Sequence, residues 1–163
     1  MLFKIEMGDW SEDGYGVHKA VTYETNYNVA AIAEGYRKSC RKYGIQFHDA
    51  DKDFTGLGLE TWDKRALWSN PDYFSAPGFD EKTRDLLVGT GVIDAQAVYE
   101  KTNRQGEKDY DVDYNYRESA DAIMRFIALS MPDDFTYEIQ EPKDIPCLND
   151  ELHVDFGYGL LVP

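Results

Sequence analysis

From Leu2 to Met7 the chain alternates, with Phe3, Ile5 and Met7 on one side and Leu2, Lys4 and Glu6 on the other. Period-two alternation predicts a half-buried strand. Residues 17–25, rich in β-branched and aromatic side chains, predict a second strand, and turn formers fill residues 8–16 between them. A β-hairpin with a long loop is expected. The period then changes. Val29, Ile32, Ala33, Tyr36 and Cys40 recur at helical spacing after Asn28, which serves as N-cap, and Gly44 supplies a left-handed stop.

Residues 45–48 read as a short strand, and the middle third is irregular. It holds a short helix at 61–68, loops around Asn70-Pro71 and Pro77-Gly78, a helix from Asp80 to about Val88, and a further short helix starting at Asp94. Residues 104–109 form a polar connector. A helix over 116–130 is better defined: Asn115 and Glu118 make a capping pair, Ile123, Phe126 and Ile127 form the buried stripe, and Pro132 ends it. Residues 135–140 and 152–162 alternate again, with a bulge or turn at Gly157 and Gly159. There is no internal repeat and no linker composition. The pattern predicts a single α+β domain over 1–163. Its mostly antiparallel sheet is formed by N- and C-terminal strands and packs against two main helices, about 28–43 and 116–130.

Composition supports a folded core. Hydrophobic residues make up 42% of the chain and aromatics 14%, including 12 Tyr, whereas acidic disordered chains lack aromatics. Two cysteines 107 residues apart, Cys40 and Cys147, do not resemble a secreted disulfide framework. The first residues lack the features of a leader, and no apolar run approaches the ~18–20 residues that cross a bilayer. A cytoplasmic location is therefore expected.

Charge narrows the function. The 17 Lys and Arg stand against 31 Asp and Glu, a net of −14. Such a field repels phosphate backbones and anionic lipid, so neither direct nucleic-acid binding nor membrane binding is expected. Residues 107–121 hold six acids and two bases, and residues 132–155 hold eight acids and one base. The most unusual stretch is 108–116. In extended form it sets Asp109, Asp111, Asp113 and Asn115 on one side and Tyr110, Val112, Tyr114 and Tyr116 on the other. Acids at roughly 7 Å spacing, twice the strand rise, compare with phosphates along a nucleic-acid strand. The plainer reading is a strand with an aromatic core face and a wet acidic face.

Residues 49–60 contain Asp49, Asp51, Asp53 and Glu60 at loop positions one, three, five and twelve, a spacing that resembles the calcium loop of the EF-hand family. The resemblance covers these residues alone and implies a calcium site there. Phe54 stands where the family's turn needs glycine, and Gly56 replaces an apolar residue. A solvated acidic loop is the favoured reading. Residues 9–14 repeat the opening of that loop, but Ala20 occupies the final ligand position, and they suit a hairpin tip.

His18, His48 and His153, with Asp49 or Asp155 nearby, are the only set that could gather for zinc or acid–base work, and none has a compact ligand spacing. Arg37, Lys38, Arg41 and Lys42 read as the solvent stripe of the first helix. Cys40 falls on that helix's apolar stripe and reads as a small hydrophobe. Gly89-Thr90-Gly91 lacks the third glycine of a dinucleotide fingerprint, and Gly89 reads as a helix C-cap.

The expectation is a small acidic interaction protein without catalysis or cofactor, of inhibitor, immunity or DNA-mimic type. It would bind a basic protein through Asp109, Asp111, Asp113, Tyr110, Tyr114, Asp133 and Asp134. The alternatives are a hydrolase using a divalent metal ion at the His/Asp set, a calcium-binding protein, and a structural assembly component.

Overall fold

A computed structural model describes residues 1–7, 19–45, 79–102, 106–141 and 146–152. Strand β1 (Leu2–Met7) pairs antiparallel with β2 (Lys19–Thr25), Ile5 opposite Val21 and Phe3 opposite Tyr23. On its other side β2 pairs antiparallel with β5 (Tyr137–Gln140), so the sheet order is β1-β2-β5. The outer edge of β1 is also taken: the Lys4 amide donates to the Pro146 carbonyl at 3.0 Å, and Lys4 bridges to Cys147 in parallel. N-terminal and late segments thus build one sheet, as the alternation predicts.

Two helices form the main layer. Helix α1 (Val29–Tyr43) starts at Asn28, whose side chain accepts from the Ala31 amide, and stops at Gly44 with φ 70°. Helix α3 (Tyr116–Ala128) opens with a full capping box between Asn115 and Glu118. Helix α3 packs on β1 and β2, and α1 packs on α3 and on the short α4 (Leu148–Leu152). The core gathers Phe3, Ile5, Tyr23, Ile32, Tyr36, Ile123, Phe126 and Ile127, all essentially inaccessible.

The α1–α3 contact is close because of glycine. A Cβ on Gly35 would sit 2.5 Å from Met131 Sδ and 3.2 Å from Ile127 Cγ2. Beside it, Ser39 Oγ lies 2.7 Å from the Phe126 carbonyl and 2.6 Å from Ser130 Oγ, so a buried hydroxyl is satisfied between the helices.

The middle of the chain adds a smaller unit. Helix α2 (Glu81–Gly89) is capped by Asp80, and after a 3₁₀ turn at Ala95–Ala97 strands β3 (Val98–Thr102) and β4 (Lys108–Val112) form an antiparallel ribbon. Helix α2 contacts β4, and Phe79 and Tyr110 exchange two backbone hydrogen bonds of 2.9 Å along the free side of β4. Arg125 Nε of α3 donates to the Val92 carbonyl at 2.9 Å, tying this unit to the main layer.

Several boundaries differ from expectation. The late alternating segment fails at its first residue, because Leu152 is buried at the end of α4, and 153–162 lie outside the described residues. Gly89 is the last helical residue; Thr90 is the cap and Gly91 takes the left-handed conformation with φ 77°. The acidic strand ends at Val112, because the cap at Asn115 turns the chain into α3 and removes Asn115 and Tyr116 from the ribbon. Residues 46–48 and 61–78, with the helix, loops and strand expected there, lie outside the described residues.

Candidate functional site

Cross-strand pairing decides which side chains share a face of the ribbon. Tyr99 lies opposite Asp111 and Lys101 opposite Asp109, while Glu100 lies opposite Tyr110 and Val98 opposite Val112. The Asp113 amide donates to the Ala97 carbonyl at 2.9 Å and carries the ladder one step further. Tyr99, Lys101, Asp109, Asp111 and Asp113 therefore belong to one side, and Tyr110 and Val112 turn toward the interior.

The expected tyrosines are inside. Tyr110 is 6% exposed and Tyr114 4%. The Tyr110 ring lies under the Arg84 guanidinium, 4.3 Å from ring centroid to Cζ, and Tyr114 Oη accepts from the Asp94 amide at 2.9 Å. Neither ring offers area to a partner, which corrects the sequence reading of both. The reason is the alternation itself: a period-two strand with one apolar side buries that side. The accessible ring is Tyr99, 42% exposed, one of three large hydrophobic residues exposed among those described. The sequence reading misses it because it starts a short helix at Asp94, where the chain forms only a 3₁₀ turn before β3. The run Val98-Tyr99-Glu100-Lys101-Thr102, β-branched and aromatic, is the signal that could have found it.

The acids on the ribbon are not equivalent. Asp113 is exposed and Asp109 half-buried. Asp111 is 8% exposed and accepts from Lys101 Nζ at 2.9 Å and from the Val112 amide at 2.8 Å. Burial outweighs the lysine and holds its carboxyl above the usual carboxylate range. Burial, then the charges of Asp111 and Asp113, raises the Tyr99 phenol, keeping it a neutral donor at physiological pH.

Asp133 and Asp134 stand elsewhere. Both are exposed in the turn after α3, whereas Asp113 precedes α3, a helix of 13 residues, roughly 20 Å long. The two acidic groups lie at opposite ends of that helix and do not form one patch. Asp134 serves the local corner: Tyr27 Oη donates to its carboxylate at 2.5 Å and Asn26 Nδ2 to its carbonyl at 2.7 Å. The first of these bonds raises the Tyr27 phenol.

A groove opens between α2 and the ribbon. It has a volume of about 390 Å³ and is lined by Arg84, Asp85, Val88, Val98, Glu100 and Tyr110 among others. Arg84 Nη2 is 3.2 Å from Glu81 and 2.8 Å from Asp85. The hydrogen bond to Asp85 raises the guanidinium's proton affinity further.

Of the metal candidates, Asp49, Asp51, Asp53, Glu60, His18, His48, His153 and Asp155 all lie outside the described residues. Among the described residues no group of three His, Cys, Asp or Glu side chains could hold a metal ion, and no helix is long and apolar enough to cross a membrane. Cys40 and Cys147 are both buried. The basic residues of α1 lie on its outer side, with Arg41 2.9 Å from Glu34 and Arg37 Nη2 donating to the Glu151 carbonyl. No family model, curated protein or solved structure matches this chain.

Proposed function

We propose that the protein is a small acidic, non-catalytic interaction module that binds a basic protein partner through the Tyr99 side of the β3–β4 ribbon. Inhibitor, immunity and DNA-mimic roles belong to this class. The observation that carries the reading is the exposed Tyr99 ring on the same side as Asp109, Asp111 and Asp113. An aromatic ring supplies contact area at low entropic cost, and the flanking carboxylates steer a cationic surface onto it. Residues 79–113 hold nine acids against five bases, so the surroundings reinforce the same sign. Lys101 is engaged internally by Asp111, which leaves Asp109 and Asp113 as the outward charges.

Titration of the full chain with a decalysine peptide, followed through backbone amide NMR shifts, tests this. The shifts are expected to concentrate on residues 99–101 and 109–113. Asp109→Asn combined with Asp113→Asn is expected to weaken binding about tenfold. Raising salt from about 50 to 200 mM is expected to weaken it at least tenfold through screening. Shifts spread evenly over acids throughout the molecule, with the double variant unaffected, would reject the assignment.

A further inference from the structure

We infer that the groove between α2 and the ribbon receives an arginine side chain of the basic partner, its alkyl stem over Val88 and Val98 and its guanidinium between Asp85 and Glu100. This rests on the proposed acidic interaction surface and extends it around β3 to the opposite face of the ribbon. Both valines are half-buried and line the groove, while Asp85 and Glu100 are exposed beside them. An amphipathic side chain fits such a lining, because its stem covers apolar surface while its head stays among polar groups. The volume of about 390 Å³ lies at the small end of the range for ligand sites, about 300–1,000 Å³, and suits one side chain.

The groove already holds one guanidinium in this manner. Arg84 lies over the Tyr110 ring with its Nη2 on Asp85 and Glu81, so two carboxylates offset its charge. Among the described residues the cation on Glu100 is Lys108 at 3.4 Å, with both side chains about 60% exposed (62% and 59%). Ion pairs this exposed contribute little, and a planar guanidinium that can bind a carboxylate with two hydrogen bonds competes well against a lysine. Continuity is the second argument: Tyr99 both lines the groove and lies opposite Asp111 in the ribbon. Val98 and Glu100 face the other side of the ribbon from the Tyr99 ring, so a cationic segment drawn to the acidic side reaches the groove by passing around β3.

Titrating the full chain with a decaarginine peptide, while observing the valine methyls and the Asp109 and Asp113 amides, tests the groove. Expected are methyl shifts at Val88 and Val98 with the same affinity as the amide shifts, and nuclear Overhauser contacts from arginine δ-methylene protons to both valines. Val88→Phe, which fills the groove, is expected to weaken binding about fivefold. Amide shifts without valine contacts, and unchanged affinity in Val88→Phe, overturn the groove and leave the acidic surface standing. Silence at both sets overturns both. If Val88→Phe does not fold, the proton contacts in the unsubstituted chain remain decisive.

Discussion

Thr22 stands at the centre of the sheet, 1% exposed, and its Oγ1 has no hydrogen-bond partner among the described residues. A buried hydroxyl without a partner costs about 1–3 kcal/mol relative to a satisfied one, and valine has the same shape without the group. Thr22→Val is therefore expected to stabilise the fold by about 1 kcal/mol, seen as a higher urea midpoint at unchanged slope. Asp111 and Lys101 behave differently. The Asp111 carboxyl is raised in the folded state by burial, so the folded chain holds that proton to higher pH than the unfolded chain. Its contribution to stability is full below the ordinary carboxylate range and falls as pH rises through the raised value. Lys101→Met leaves this carboxylate buried without its cation and is expected to cost about 1–3 kcal/mol at pH 7. Urea unfolding at about pH 3.5 is expected to show a smaller loss, because a protonated Asp111 no longer needs the lysine. An equal cost at both pH values would contradict this assignment. The sequence reveals the face that Asp111 occupies through its alternation with Tyr110 and Val112, but its burial depends on a cross-strand neighbour in β3. No local pattern could reveal that.

At the scale of elements, legibility follows the strength of local signals. Asn28 and Gly44 bound α1 as expected, and Asn115 with Glu118 opens α3 through a reciprocal pair of hydrogen bonds at 2.9 and 3.0 Å. Each such group satisfies a backbone amide that the helix itself leaves open, so the residue type carries the information. Asn115→Ala removes the side-chain half of the box and is expected to cost about 1 kcal/mol, within the usual range of 0.5–2. Thermal unfolding monitored by circular dichroism checks it. Strand β3 is not legible in the same way. Five residues with a mixed burial pattern give neither clean alternation nor a helical stripe, and its stability comes from β4. Without β3 in view, Tyr99 has no face to belong to, and the accessible ring of the site stays hidden.

For the whole molecule the controlling quantity is its net charge of −14 on 163 residues. Self-repulsion among like charges opposes compaction, and dissolved ions screen it over about 10 Å at 0.1 M. The melting temperature at pH 7 is accordingly expected to rise by a few degrees between low salt and about 0.3 M sodium chloride. Partner binding moves the opposite way under the same change, so the two measurements separate electrostatic cost from electrostatic use. Composition reveals the sign and size of this field but not its distribution. The fold divides two of its acidic groups between the ends of α3.

The sheet has a further consequence, which concerns synthesis. Strands β1 and β2 are translated close together, but β2 waits for β5, and β1 for Pro146 and Cys147, which are made more than a hundred residues later. At typical elongation rates that interval lasts on the order of ten seconds. During it β1 and β2 keep bare edges, the kind that recruit strands from other chains. Asn26 and Asp134 close the corner only after α3 has been translated, so β1 and β2 stay open to pairing with other chains almost until the sheet is complete.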